Sequence, residues 1–179
     1  MKVSLVDYNE SWAEIFAEEQ ALLAGVLTDT KAQIEHIGST AVVGLSAKPV
    51  IDIMIGIEDF SLADSLVPKI VAADYDYIKA FETEMPYRRY FTRRVDGADT
   101  HHIHMVAIGS EFWLRLLLFR DYLREHKNVR DEYANLKSEL AKLEWPDVDD
   151  YAEAKTAFIR RTEKAAEAFF QQTIPELQR

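Results

Sequence analysis

Apolar residues recur at a helical interval near the start of the chain. Trp12, Ile15, Phe16, Leu22, Leu23, Val26 and Leu27 fall on one face of a helix predicted from Asn9 to Leu27. Asn9 or Ser11 stands where a side-chain oxygen can accept from the first free backbone N–H groups. The period then changes. Gln33 to Ile37 and Pro49 to Ile57 are short runs rich in Ile and Val, which predict strands separated by a connection containing Gly and Ser. The second run is apolar enough to be a central, buried strand. Helical spacing returns between Ser61 and Ala73 through Leu62, Leu66 and Ile70. There Ser61 with Asp64 resembles a weakened capping box, and Pro68 interrupts the pattern. Tyr75 to Phe81, Arg88 to Val95 and His102 to Ala107 then predict strands, with Asp96-Gly97 as the hairpin turn between the last two.

From Glu111 onward the pattern is helical throughout. Trp113, Leu116, Leu117, Tyr122 and Leu123, then Tyr133, Leu136, Leu140 and Leu143, then Tyr151, Ala154, Phe158 and Ile159 predict three helices. The breaks fall near His126–Asn128 and at Trp145-Pro146-Asp147. A strand-rich stretch over 30–110, a helix before it and helices over 111–172 predict one α+β domain covering 1–179. No internal repeat or low-complexity linker divides it.

Composition narrows the chemistry more than the fold. The 179 residues include no cysteine, so disulfides, thiolate metal sites and cysteine nucleophiles are excluded, and any metal must be held by His, Asp or Glu. The first residues lack an apolar signal core and no stretch reaches the ~18 apolar residues of a membrane span, so a cytoplasmic protein is expected. The net charge of −10 opposes non-specific binding to nucleic acid. Acidity is concentrated in residues 1–110, which hold 9 Lys and Arg against 17 Asp and Glu.

The segment from Glu35 to Ile55 carries the most chemistry. A strand ends at Gly38-Ser39, where glycine permits close backbone approach and the hydroxyl can donate to a phosphate; the plain alternative is a turn of small residues. Asp52 is flanked by Val50, Ile51, Ile53, Met54 and Ile55. A carboxylate among such neighbours needs a hydrogen bond, a cation or a place at the strand end.

The run His36-Ile37-Gly38-Ser39-Thr40-Ala41-Val42, with Gly44-Leu45, Ala47-Lys48-Pro49 and Asp52, resembles the signature of the GrpB family. Similar stretches follow at Thr100 to Val106, Phe119 to Leu123 and Tyr151 to Lys155. Val43 departs from the family pattern, which usually has proline there. The resemblance implies a nucleotidyltransferase-like mixed sheet, and a functional link to coenzyme A biosynthesis, because a similar domain occurs fused to dephospho-CoA kinase. In nucleotidyltransferases Gly-Ser helps to hold a triphosphate, and paired carboxylates on a strand, with a third beside it, bind divalent ions. Gly38, Ser39 and Asp52 match that pattern. Met54 occupies the second carboxylate position, and a thioether is a poor ligand for magnesium.

Against that background the row His101-His102-Ile103-His104 gains interest. On a strand His102 and His104 share one face, ~6.7 Å apart, and the resemblance places that strand beside Asp52. The resulting expectation is a metal or general acid–base centre of Asp52, His102 and His104, with His36 as a further ligand. It would favour zinc, manganese, iron or nickel over magnesium. Without a metal, the same histidines would hydrogen-bond within the sheet or bind substrate. Gly38, Ser39, Lys48 and Arg88 are the expected phosphate contacts. Arg88 and Arg94 share one strand face and Arg89 and Arg93 the other; the alternative is a solvated edge strand. Phe119-Arg120-Asp121 is expected to fasten the C-terminal helices to the sheet; the alternative is that Arg120 faces the cleft. Two functions follow: an enzyme of phosphoryl or nucleotidyl transfer acting on a nucleotide or other phosphorylated small molecule, or a binding module that lost catalysis with Met54.

Overall fold

A computed structural model describes residues 2–173. The architecture is the expected α+β one: a mixed sheet with an N-terminal helix and C-terminal helices. Helix α1 (Ser11–Val26) leads to β1 (Gln33–Ile37) and β2 (Ile51–Ile57). Helix α2 (Ala63–Val71) precedes β3 (Asp76–Tyr77), β4 (Arg89–Val95) and β5 (Ala98–Ala107). The five strands lie in the order β1-β2-β5-β4-β3. Among the described residues, β2 and β5 alone pair in parallel and the other pairs are antiparallel.

The alternation along β2 sorts the two faces. Ile51, Ile53, Ile55 and Ile57 join Leu23 of α1 and Leu27 just after it, Ile70 of α2 and Phe91, Ile103 and Met105 of the neighbouring strands in one buried cluster. Asp52, Met54 and Gly56 face the other way. There Met54 packs with Ile37, Val106, Phe112 and Trp113. Gly56 is required at that contact: an added Cβ would come within 2.7 Å of Ile108 Cγ1, 2.8 Å of Trp113 Cη2 and closer still to Trp113 Cζ3. Bare backbone lets the indole approach the sheet closely, and with it the helix that carries it.

That helix is α3 (Glu111–Glu125), followed by α4 (Lys127–Ala141), α5 (Val148–Glu153) and α6 (Thr156–Thr173). The expected third C-terminal helix is therefore two. Asp147 caps α5 by accepting from Asp149 and Asp150 N–H, both at 2.9 Å, and the chain turns again at Ala154 and Lys155 before α6. Val42, Leu45, Leu123, Tyr133 and Phe158 form a further cluster that seals the loop after β1 beneath these helices.

Local differences have local causes. Lys79–Glu82 coil into a 3₁₀ turn, which cuts the strand expected from Tyr75 to Phe81 down to two residues. Asp59, accepting from Ser61 N–H at 2.9 Å, takes the capping role assigned to Ser61, while Asp64 pairs with Arg89 at 2.6 Å. Asp96 and Gly97 both adopt positive φ, 52° and 80°, as a two-residue hairpin turn requires. Strand β4 is not an edge. It lies between β5 and β3, and Arg89 and Arg93 are ion-paired with Asp64 and Glu19 toward α2 and α1.

Candidate functional site

The site is built at the end of β1. Ile37 stands opposite Asp52 in the antiparallel register, and the next residue, Gly38, has φ of 71°. A Cβ there would sit 3.0 Å from Asp52 Cγ and closer still to Oδ2. The glycine therefore serves as a notch for the carboxylate. Ser39–Ala41 then form a 3₁₀ turn, and arginines from α3 and α4 fix the loop through its carbonyls. Arg124 donates to Ala41 O at 2.8 and 3.0 Å, and Arg130 to Val43 O at 3.0 Å. Arg120 donates to His36 O at 2.9 Å and to Glu35 at 2.7 Å, which is the fastening expected of it.

The parallel register of β2 and β5 sets Asp52 beside His102 and Met54 beside His104. His102 Nδ1 lies 3.2 Å from Asp52 Oδ1, and its Nε2 lies 3.4 Å from Asp99 Oδ2. Two carboxylates flank one imidazole, and an ionised carboxylate only accepts, so both ring nitrogens are drawn into donating. Burial opposes the charge on His102, but Asp52 and Asp99 outweigh it and hold the imidazole above its ordinary value. Arg94 completes the chain, donating to Asp99 at 2.6 Å.

His104 is separated from this group. Arg88 lies 3.2 Å from its Nδ1, and a guanidinium can only donate, so that nitrogen is the acceptor. Burial pushes His104 down to about 3 and Arg88 reinforces the shift. The guanidinium itself lies 4.9 Å from the Tyr90 ring, with Phe81 and Phe112 around it. His36 is on the opposite face of the sheet. It stacks on Phe16 with ring centroids 4.6 Å apart, meets Thr40 Oγ1 at 3.0 Å and is lowered to about 4 by burial.

Three corrections to the expected centre follow. Asp52 is joined by His102 alone, His104 is turned to a cation, and His36 faces away. Among the described residues no three His, Cys, Asp or Glu side chains are grouped to hold a metal ion. The donors present do not fit the expected metal centre, because a guanidinium occupies His104 and a second carboxylate competes for His102.

Asp52 and His102 form one wall of a cavity of about 170 Å³ that is also lined by Ser39, Lys48, Lys137, Tyr151 and Lys155. Lys137 of α4 is 3% exposed. Its Nζ donates to Ser39 Oγ at 3.0 Å and to Ser46 O at 2.5 Å. Burial, with Lys155 nearby, pushes Lys137 down to about 7. Lys155 lies 4.1 Å from the Tyr151 ring centre and Lys48 5.3 Å from it. Burial and Lys48 push Lys155 down to about 8. The Tyr151 hydroxyl is buried and, among the described residues, has no hydrogen-bond partner.

The loop and cavity lie wholly within a region that aligns with known sequences. The family model described as "GrpB protein" matches residues 2–165. The chain belongs to the GrpB family. The UPF0157 protein YqkA of Bacillus subtilis is 37% identical over 165 residues, covering 92% of this chain and 47% of YqkA, so the chain spans about half that relative's length. The crystal structure of GrpB from Enterococcus faecalis matches with a TM-score of 0.84 at 34% identity, covering 94% of this chain and 99% of that one. A dephospho-CoA kinase of Mycobacterium leprae is 26% identical over 153 residues, covering 71% of this chain and 37% of the kinase. No helix among the described residues is long and apolar enough to cross a membrane.

Of the residues expected at the site of this GrpB-family chain, the structure brings together Gly38, Ser39, Lys48, Asp52 and His102. Arg88 stands with His104 away from the cavity lining. Lys137, Tyr151 and Lys155 were missed, because the C-terminal helices read as packing alone. The available signal was spacing: Tyr133 and Lys137 are four residues apart on α4, which puts the lysine beside an aromatic ring on an inward face, whereas Lys155 reaches Tyr151 from the turn after α5.

Proposed function

We infer that the cavity takes the phosphate group of a small phosphorylated molecule or nucleotide. The observation that carries this reading is the convergence of Lys48, Lys137 and Lys155, with the unpartnered Tyr151 hydroxyl, on one pocket of a chain whose net charge is −10. Lysines pushed together in a buried space repel one another, and a bound anion relieves that repulsion while giving the phenol an acceptor. Lys48 and Lys155 face the anion, Lys137 holds Ser39 in place, and the Asp52–His102–Asp99 group holds a proton at the pocket wall. Coenzyme A precursors carry the phosphate chemistry required, and the likeness to a dephospho-CoA kinase makes them the first ligands to try.

Whether the bound group is transferred divides two readings. Phosphoryl or nucleotidyl transfer would use the His102 proton on the leaving oxygen. Binding without transfer is favoured by Met54, which is fully buried under Phe112 and Trp113 where the nucleotidyltransferase pattern has its second carboxylate. We favour a binding site first, with transfer as the further test.

The experiment is thermal unfolding with pyrophosphate, ADP, ATP and dephospho-coenzyme A. A ligand present at 100 times its Kd adds about 2.7 kcal/mol, which for a chain of this size raises Tm by about 5 to 10 °C. Lys155→Met and Lys48→Met should each remove most of that rise. An unchanged Tm with every phosphate compound, or equal rises in both variants and the parent chain, refutes the reading.

A further inference from the structure

The geometry points to covalent chemistry in this cavity: Ser39 acts as a nucleophile toward a phosphoryl group, and Lys137 is the base that takes its proton. The proposal rests on the phosphate reading above and extends it from holding the group to accepting it.

The environment of one amine carries the argument. Lys137 Nζ is 3.0 Å from Ser39 Oγ, and its other hydrogen bond goes to the Ser46 carbonyl. Neither partner is a carboxylate. The side chain is buried, so a charged ammonium there would lack a counter-ion. A neutral amine suits the same contacts: it donates one N–H to Ser46 O and keeps a lone pair for the serine hydroxyl. The neighbouring cations favour that state: Lys155 adds positive charge from the turn between α5 and α6, and Lys48 does so from the loop. The Tyr133 ring of its own helix, 4.8 Å under the amine, attracts the charged form and works against the neutral one. Asp52 and His102 from the sheet, and Tyr151 from α5, line the same space. Burial and Lys155 bring Lys137 to about 7, which leaves a substantial share of free base at neutral pH, where general bases work best.

Serine is a weak nucleophile until a base is within hydrogen-bond reach, and that reach is present here without any substrate. Ser39 follows the notch at Gly38 and its hydroxyl opens on the cavity. In the forward step the Ser39 Oγ–P bond forms, the bond from phosphorus to the leaving oxygen breaks, and the hydroxyl proton passes to Lys137. The leaving oxygen departs with the bonding electron pair beside Lys48 and Lys155. Water then cleaves the phosphoserine, restoring the hydroxyl and releasing inorganic phosphate, while Lys137 returns its proton to solvent. The substrate class is therefore a small phosphate anhydride or ester with a good leaving group.

Acetyl phosphate is a probe small enough for the cavity. The full chain is incubated with it, Ser39 is examined by peptide mass spectrometry, and acetate release is followed. Phosphoserine at Ser39 or acetate release above background is expected, with a rate that rises through pH 7. Ser39→Ala should abolish it, and Lys137→Met and Lys137→Arg should slow it by about 10²-fold or more. Lys137→Arg keeps a positive charge but no usable base, so it separates the two roles of the amine. Pyrophosphate binding is measured on the same samples. Binding by the parent chain with neither phosphoserine nor acetate release, or a rate in either Lys137 variant equal to that of the parent chain, overturns the serine–lysine proposal and leaves the phosphate reading intact. Absence of pyrophosphate binding together with absence of reaction overturns both.

Discussion

Removing the buried amine should make the protein more stable, and the size of the gain should depend on pH in a fixed way. The Lys137 amine is lowered from 10.5 to about 7 in the fold. Each tenfold change in proton affinity corresponds to about 1.4 kcal/mol, so holding this amine costs about 5 kcal/mol below pH 7 and about 4 kcal/mol at pH 7. Between pH 7 and 10.5 the unfolded chain binds more protons than the folded one, so stability rises with pH across that window. Lys137→Met removes the penalty and gives up two hydrogen bonds, to Ser39 and Ser46, worth about 1 kcal/mol each. The variant should be about 2 kcal/mol more stable at pH 7, a rise in Tm of about 4 to 8 °C. Its advantage should vanish at about pH 9, where the penalty equals the lost hydrogen bonds. Thermal or urea unfolding at pH 6, 7, 8.5 and 10 checks the whole curve. A variant less stable than the parent chain at pH 7, or an advantage that does not change with pH, would refute the idea that burial of an uncompensated amine governs this site.

Three further outcomes test other parts of the structure. Asp52→Asn removes one of the two carboxylates that hold His102 above its ordinary value, so an NMR titration should show the His102 imidazole falling. Because a raised histidine stabilises the fold at low pH and loses that contribution as pH rises through its folded value, the variant should be more damaging at pH 5.5 than at pH 8.5. Gly38→Ala meets both the φ of 71° and the Asp52 carboxylate, and should cost about 1–3 kcal/mol in urea unfolding while abolishing any pyrophosphate shift; normal stability would show that the notch is dispensable. Arg120→Met strands Glu35 and the His36 carbonyl. With Glu35 35% exposed, the loss should be about 2 kcal/mol, seen as a lower urea midpoint at unchanged m.

The sheet was readable because the β2 run is almost wholly apolar, which marks it as a central strand. Four isoleucines on one face set against Asp52, Met54 and Gly56 on the other define the larger core, and Asp52 stands beside His102 in the parallel register of β2 and β5. Side-chain direction on β4 was legible for the same reason, since a period of two settles which arginines travel together. What spacing along a strand cannot supply is the competition for each donor. His102 and His104 do share a face, but Asp99 and Arg88 claim them separately, and neither pairing is local to the motif. The cavity's lysines were hidden by a different rule. Tyr133 and Tyr151 sit at core positions of helical patterns, and a lysine four residues later reads as the solvent edge of such a helix unless the helix is known to bend over a polar pocket. The short α5 and its separate α6 made the difference, because the turn between them delivers Lys155.

The contact between Ser39 and Lys137 spans 98 positions of the chain. Its sequence separation has a consequence for how the molecule assembles. Loop-closure entropy must be met before so distant a pair can form, and Tyr151 and Lys155 are still later in synthesis. The sheet can reach its register while the pocket has only one wall. A phosphate ligand that needs Lys48 and Lys155 together would therefore recognise only chains whose last helices have docked, and its binding rate during refolding would time the closing step of folding rather than the formation of the sheet.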